Sequence, residues 1–366
     1  MRFADPLIIG AGPAGCAAAI VLAQGGGVPT LLDRDRQVGD PLCGGFLSWK
    51  TAQQLRALGV DPDQIGAHGV HQLRLFTGQR EARIALPAPA YGLSRHALDT
   101  AMRQRAQDLG AVLVHDTIRH IEGTIATGQD RTWQAETIFL ASGKHDVRGH
   151  SRPRQARDPA IGLRLRLPST PQQSLLLAGA IELHLFDAGY AGIIMQEDGS
   201  ANICLAVRKS MLARAGGDPA RLLEMLAGQS AHFAARLSGD WQSGRIDSIG
   251  AVPYGWIART TSPGLYRLGD QAAVIPSLAG EGISIALASG LAAASHWMAH
   301  GPQGAAQFQA RFASQAAAPV AMARIARRLA ETGTGHDIAM ALARVAPRLV
   351  TLLMHQTRIS VSPALA

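Results

Sequence analysis

A chain of 366 residues, 47% of them hydrophobic, can bury one large core or two interleaved ones, which excludes global disorder. Its formal charge of +8 is almost all arginine, since Lys50, Lys144 and Lys209 are the only lysines, and with no basic block or interleaved aromatics it argues against nucleic-acid binding. Cys16, Cys43 and Cys204 are odd in number and far apart, which excludes a disulfide framework and a zinc site and fits a reducing compartment.

The first apolar run begins at Leu7, leaving no room for a signal peptide, and no stretch reaches the roughly 20 uninterrupted apolar residues of a spanning helix. A cytoplasmic location is therefore expected, with attachment to a membrane surface as the alternative. The run Leu7–Ile9 breaks into Gly10, Gly12 and Gly15 and then into small residues, the strand, turn and helix order of a dinucleotide fingerprint. Gly10 permits the tight turn and Gly12 lets the backbone approach a pyrophosphate, while Gly15, Ala14 and Ala18 let the helix sit close on the sheet. A second apolar run ends in Asp33, 23 residues after Gly10, close to the roughly 20 at which a carboxylate receives a ribose.

The loop 34–48, with Gly39, Cys43, Gly44 and Gly45, is longer than a connector requires and is expected to cross the ligand. A helix is predicted from Lys50 to Leu58. Residues 70–86 read as two strands around Gly78, ended by Pro87 and Pro89. Ser94 caps a helix running to about Leu109, short strands follow at 111–115 and 137–141, and the latter runs into a Ser142-Gly143 turn. Strands ending in glycine turns and separated by helices mean a parallel sheet with its ligand at the carboxyl edge.

From about 151 the pattern changes to strand-like segments at 161–167, 181–186, 191–196 and 201–207, which read as antiparallel sheet. Residues 211–237 look helical. A second diagnostic stretch runs from a strand through Gly269-Asp270 and Pro276 to Gly280-Glu281-Gly282-Ile283, opening a small-residue helix. Asp270 can accept hydrogen bonds from polyol hydroxyls, and the helix N-terminus can stabilise negative charge on a ring. A nicotinamide enzyme does not need this second site; a flavin does.

The tail, 305–330 and 337–354, is apolar at helical spacing with arginines opposite. It reads as two helices over the substrate side, or as a basic amphipathic contact with a membrane surface. Cys43 is a candidate proton donor or a small residue packed under the ring, and Tyr190 a substrate contact or a packed strand tyrosine. Tyr254 and Trp256 line a pocket or anchor the core. Glu281 lies beside the proposed ring site or caps its helix. No metal-ligand spacing is present.

The GxGxxG with Asp33, the Ser94-Arg95-x-x-Leu98-Asp99 segment, Ala141-Ser142-Gly143 and the Gly269–Ile283 set together resemble the FAD-binding proteins of the p-hydroxybenzoate hydroxylase superfamily. Within it the chain is similar to the geranylgeranyl reductase group, through Cys43-Gly44-Gly45 with Ser48, and Phe186–Met195 leading to Asp198-Gly199 and Asn202. The resemblance covers residues 1 to about 300. It implies an α/β fold: a Rossmann-like FAD-binding domain from 1–67, 91–160 and 255–300, interleaved with an antiparallel-sheet substrate domain from 68–90 and 161–254, and a C-terminal helical segment, 301–366.

It also implies that Gly10, Gly12, Pro13, Ala14 and Gly15 hold the pyrophosphate, and Asp33 the adenosine ribose with Arg34 alongside. Arg95 would reach the ribose and phosphate, Ile118 the adenine, and Asp270 the ribityl and pyrophosphate end. Gly280, Gly282 and Ile283 would lie along the flavin pyrimidine, and Gly44, Gly45, Ser142 and Gly143 belong to the same cofactor set. The group's Tyr-x-Trp-x-Phe-Pro signature reads Tyr190-Ala-Gly192-Ile-Ile194-Met195 here, implying a wider pocket.

The implied activity is an FAD-dependent oxidoreductase passing a hydride between flavin N5 and a hydrophobic unsaturated metabolite. The alternative is a monooxygenase hydroxylating an aromatic or polyketide-type substrate through a C4a-hydroperoxide. No second GxGxxG is present, so NAD(P)H would dock transiently. The oligomeric state is not read from the sequence.

Overall fold

The computed structural model describes residues 3–359, other than 155, 169, 238 and 240; the last seven residues of the expected C-terminal segment lie outside the described residues. The chain opens with β1 (Leu7–Ile9), α1 (Pro13–Gln24) and β2 (Thr30–Asp33). It then forms β3 (Phe46–Leu47), α2 (Trp49–Ala57) and a long hairpin of β4 (His68–Thr77) and β5 (Arg80–Gly92). Next come α3 (Arg95–Asp108), β6 (Val112–His115), a small antiparallel sheet of β7 (His120–Glu122), β8 (Ile125–Thr127) and β9 (Thr132–Gln134), and β10 (Ile138–Leu140).

The second half builds β11 (Ala160–Leu167), α4 (Pro171–Leu177), β12 (Ala180–Phe186), β13 (Gly189–Met195) and β14 (Ala201–Arg208). Three short helices follow, α5 (Lys209–Arg214), α6 (Pro219–Gln229) and α7 (Ala231–Ala234), then β15 (Ile246–Ile249) and β16 (Leu265–Arg267). The chain closes with α8 (Gly282–His300), α9 (Ala305–Ala330), α10 (Gly333–Val345) and α11 (Pro347–Gln356).

Five strands form a parallel sheet in the order β16-β10-β1-β2-β6. Its central strands are short and apolar, and β1 and β10 are buried throughout, as strands covered on both faces must be. The small residues of α1 let α8 approach closely: a Cβ at Gly290 would stand 2.4 Å from the Ala14 carbonyl oxygen. α8 is thus a core element. The helical run Gly282–Ala330 is long and apolar enough to cross a membrane, but 67% of its most apolar stretch is buried in the protein.

The second sheet has eight strands in the order β15-β11-β14-β13-β12-β4-β5-β3. It is mixed rather than purely antiparallel, because β12 pairs with β4 in parallel. These two strands come from separate excursions of the chain, so no hairpin forces them antiparallel. One face carries Leu163, Leu165 and Ile193 against α6 and Phe233. The other carries Leu73, Leu75, Leu185 and Tyr190 against Ala330, Met340 and Ala343 of α9 and α10.

Three further expectations are corrected. β5 does not end at Pro87 and Pro89 but runs to Gly92: ladder pairing skips from Ala85 to Ala90 at a bulge opposite Val70 and Gln72, so neither proline has to donate. Residues 211–237 are three helices, broken where Gly216 and Gly217 adopt φ of 72° and 77° and again at Ser230. The segment 337–354 is two helices bent by 113°, because Pro347 displaces Ala346 from the helical region (φ −134°, ψ 57°).

Candidate active site

A cavity of about 1180 Å³ runs from the carboxyl edge of the parallel sheet to the space between the mixed sheet and the C-terminal helices. Its walls bring together residues scattered over nearly the whole chain. Gly10, Gly12, Pro13, Ala14, Asp33 and Arg34 line one end, with Arg95, Ile118, Ser142, Gly143 and Asp270. Cys43, Gly44, Gly45, Gly280, Gly282 and Ile283 line the middle, and Tyr190 faces it from β13.

Gly15 alone of the expected set does not reach the cavity. A Cβ there would lie 1.9 Å from the Gly10 carbonyl oxygen and 3.2 Å from Ile8 Cγ2, so it packs α1 on β1. Gly10 itself has φ +105°, and a Cβ on it would be 2.4 Å from the Ala141 carbonyl oxygen. At Gly44, Gly143 and Gly282, by contrast, a Cβ would meet nothing within 4 Å. Those three leave open space along the cavity wall, as a bound dinucleotide needs. No side chain caps α1 or α8, so both helices present N-terminal N–H groups toward the cavity, α1 at one end and α8 at its middle.

Asp33 is already engaged. Its Oδ2 accepts from Ala11 N (2.7 Å) and pairs with Arg103 Nη2 (3.1 Å), and its Oδ1 accepts from Asp35 N (2.9 Å). A carboxylate has lone pairs to spare for a ribose hydroxyl. Arg103 also donates to the carbonyls of Ala11 (3.0 Å) and Asp35 (3.3 Å), fastening the Gly10–Gly12 turn and the turn after Asp33 to α3. Arg95 forks onto Asp99 with bonds of 2.8 and 2.7 Å. Burial opposes its charge, but Asp99 outweighs it and the guanidinium stays protonated. Arg95, Asp99 and Arg103 recur every four residues on one face of α3; continued one turn past the Ser94–Asp99 segment, that spacing is the signal by which Arg103 could have been found.

Arg34 is half exposed and pairs with Asp35 at 3.3 Å. Ser142 Oγ donates to the His145 carbonyl (2.7 Å), and Gln271 Nε2 donates to the Gly143 and His145 carbonyls (3.0 Å each), tying that turn to Asp270's neighbour. The Cys43 loop is held from the mixed sheet. Asn202 Nδ2 donates to the carbonyls of Cys43 (3.1 Å) and Gly44 (2.9 Å), and Arg164 bridges Asp40 (2.8 Å) and Asp247 (2.6 Å).

Glu281 does not cap α8. It is fully buried, accepts from Ser48 Oγ (3.2 Å) and lies 3.3 Å from Arg358 Nε, while Arg358 stacks on Trp49 with 3.7 Å from its guanidinium carbon to the ring centre. Burial pushes its carboxyl up to about 7 despite Arg358 and the serine hydroxyls. The substrate side holds three linked hydroxyls: Ser277 Oγ is 2.5 Å from Tyr190 Oη and 2.8 Å from Tyr254 Oη. Tyr254 lines the cavity and Trp256 does not. Among the described residues no group of three or more His, Cys, Asp or Glu side chains could hold a metal.

Beyond the hydroxyls the cavity is an apolar arm. Leu73, Leu75, Leu183 and Leu185 form its floor, and Leu329, Leu342 and Met354 are among the residues of α9, α10 and α11 that roof it.

An FAD binding domain family matches residues 4–146. The menaquinone reductase of Mycolicibacterium smegmatis is 26% identical over 331 residues, covering 80% of this chain and 75% of that protein. Digeranylgeranylglycerophospholipid reductase 2 of Methanopyrus kandleri is 24% identical over 309 residues, covering 78% and 74%. Among solved structures, a flavoprotein/dehydrogenase from Cytophaga hutchinsonii superposes with a TM-score of 0.77 at 16% identity, covering 96% of this chain and 92% of that one.

Proposed function

Because the chain belongs to the FAD-binding monooxygenase and reductase superfamily of flavin-dependent oxidoreductases, we propose that it is a reductase that saturates a carbon–carbon double bond in a hydrophobic, prenyl-bearing substrate. The apolar arm carries this reading. It is a slot between a leucine-rich sheet face and three helices, continuous with the glycine turns at 10–12 and 280–282, and suits a long unsaturated chain better than a compact aromatic acid. The names of the relatives, a menaquinone reductase and a geranylgeranyl lipid reductase, agree with such a substrate.

On this reading Gly10, Gly12, Pro13 and Ala14 hold the pyrophosphate of FAD, Asp33 and Arg34 the adenosine ribose, and Arg95 the adjoining phosphate. Ile118 packs on the adenine, Ser142, Gly143 and Asp270 follow the ribityl chain, and Gly44, Gly45, Gly280, Gly282 and Ile283 enclose the ring. FAD when bound supplies the hydride, and the protein supplies orientation and exclusion of water. NAD(P)H would dock transiently to reduce it. The half-exposed apolar residues of the C-terminal helices would rest on an anionic lipid surface from which the substrate enters.

The test is anaerobic incubation of the FAD-loaded protein with a reductant and a menaquinone bearing a short isoprene chain. A product whose isoprene side chain is still heavier by two hydrogens after the quinone ring has been reoxidised in air supports the reductase. Turnover only with oxygen, giving a hydroxylated product, would instead establish the monooxygenase alternative.

A further inference from the structure

We propose that Tyr254, Ser277 and Tyr190 form a hydroxyl relay that delivers the proton accompanying hydride transfer, with Tyr190 Oη as the donor to substrate and Ser277 as the link. The inference rests on the reductase reading, to which it adds the source of the second hydrogen.

The three hydroxyls come from separate elements: β13, the turn after Pro276 and the loop after Pro253. Their oxygens are linked by contacts of 2.5 and 2.8 Å, and all three residues line the cavity. Around them the wall is apolar. The cross-strand neighbours of Tyr190 are Leu185 and Ala206, and Leu278 follows Ser277 into the cavity. Polar groups in such a wall are costly unless paired, and pairing to one another leaves them oriented toward the space the substrate would fill.

A serine hydroxyl donates once and accepts twice, so between two phenols it accepts from one and donates to the other. Rotation of the three O–H bonds reverses the direction of the chain. Burial raises the Tyr190 phenol well above its ordinary value and pushes Tyr254 up to about 12, so both hold their protons near neutrality. The guanidinium of Arg327 lies over the Tyr254 ring, 4.8 Å from its centre, and favours negative charge at that outer end.

Saturating one double bond takes a hydride at one carbon, from reduced flavin, and a proton at the other. As the second C–H bond forms, the Tyr190 O–H bond breaks. The Ser277 proton passes to Tyr190 Oη and the Tyr254 proton to Ser277 Oγ. The negative charge then rests on Tyr254 beneath Arg327 until solvent returns a proton. No group in the relay is consumed.

The experiment reads anaerobic reoxidation of chemically reduced, FAD-loaded protein by a glycerol lipid bearing a geranylgeranyl side chain, which has no quinone ring to take the electrons, in H2O, D2O and their mixtures. Ser277→Ala should slow reoxidation on the order of a hundredfold, the scale of general acid catalysis, with FAD content and KM unchanged. Ser277→Thr, which restores a hydroxyl, should recover most of the rate. The wild type should show a curved dependence on deuterium fraction, from several protons in motion, and Ser277→Ala a linear one.

A Ser277→Ala rate within about threefold of wild type, or a Ser277→Thr variant no faster than Ser277→Ala, overturns the relay while leaving the reductase intact. Wild-type protein that leaves the side chain unreduced overturns the reductase reading and the relay with it.

Discussion

Arg358 Nε stands 3.3 Å from Glu281 Oε1, and the carboxyl it reaches has no solvent exposure at all. An arginine two residues past the end of α11 is thereby seated at the turn that opens α8, at the middle of the cavity. The ion pair does not hold Glu281 ionised, because desolvation outweighs the attraction and raises its pKa from 4.5 to about 7.

That shift has a definite sign. The folded-state pKa lies above the unfolded one, so the protonated carboxyl contributes stability that is complete below about pH 4.5 and lost as pH rises through 7. Glu281→Gln, which stays neutral, should gain on wild type across that window by roughly 2–4 kcal/mol. Chemical denaturation at matched FAD saturation and several pH values measures it; a difference that does not change with pH contradicts the assignment.

Two glycines three residues apart should fail in different ways. Gly12→Ala places a methyl 3.4 Å from the flexible end of Arg95, so the protein should fold normally yet bind FAD at least about tenfold more weakly. Gly15→Ala drives a methyl to 1.9 Å from a backbone carbonyl and should lower stability by about 2–4 kcal/mol. Thermal unfolding of the FAD-free proteins and flavin retention after gel filtration separate the two defects.

Arg103 touches Ala11, Asp33 and Asp35 at once, so its loss should loosen both turns expected around the adenosine and pyrophosphate. Arg103→Ala is expected to weaken FAD binding by about ten- to a hundredfold, since bonds to charged groups contribute about 1.5–3 kcal/mol each. Fluorescence titration with FAD reads this directly, and unchanged affinity would show that the turns hold themselves.

Val345 is 86% exposed and Leu352 55%, near Arg344 and Arg348 in sequence on or beside the helices that roof the apolar arm. A double change to glutamate should abolish sedimentation with phosphatidylglycerol vesicles and leave FAD binding intact. Wild-type protein that ignores such vesicles at low salt removes the lipid-surface reading.

Cys43 lines the cavity while its carbonyl is pinned by Asn202. If Tyr190 is the proton donor, Cys43→Ser should retain the reoxidation rate within about threefold and Tyr190→Phe should not. The opposite ranking would move the donor to the cysteine.

The sequence alone determined the parallel α/β half and its cofactor. Leu7–Ile9, the three glycines and Asp33 act through short-range rules, in which turn sterics and helix packing leave a fixed spacing in the chain. The Gly269–Ile283 stretch identified the second glycine turn in the same way, and the resemblance of the combined motifs led to FAD. Only the tertiary structure decided which distant groups meet. Ser277 joins tyrosines from two other elements, Arg103 reaches back to Ala11, and Arg358 reaches Glu281, pairings that no periodicity encodes. The parallel contact of β12 with β4 and the bulge that carries β5 past two prolines have the same origin. Local spacing constrains the backbone a few residues away, whereas long-range partners are chosen by how the buried faces of two sheets and their helices fit together.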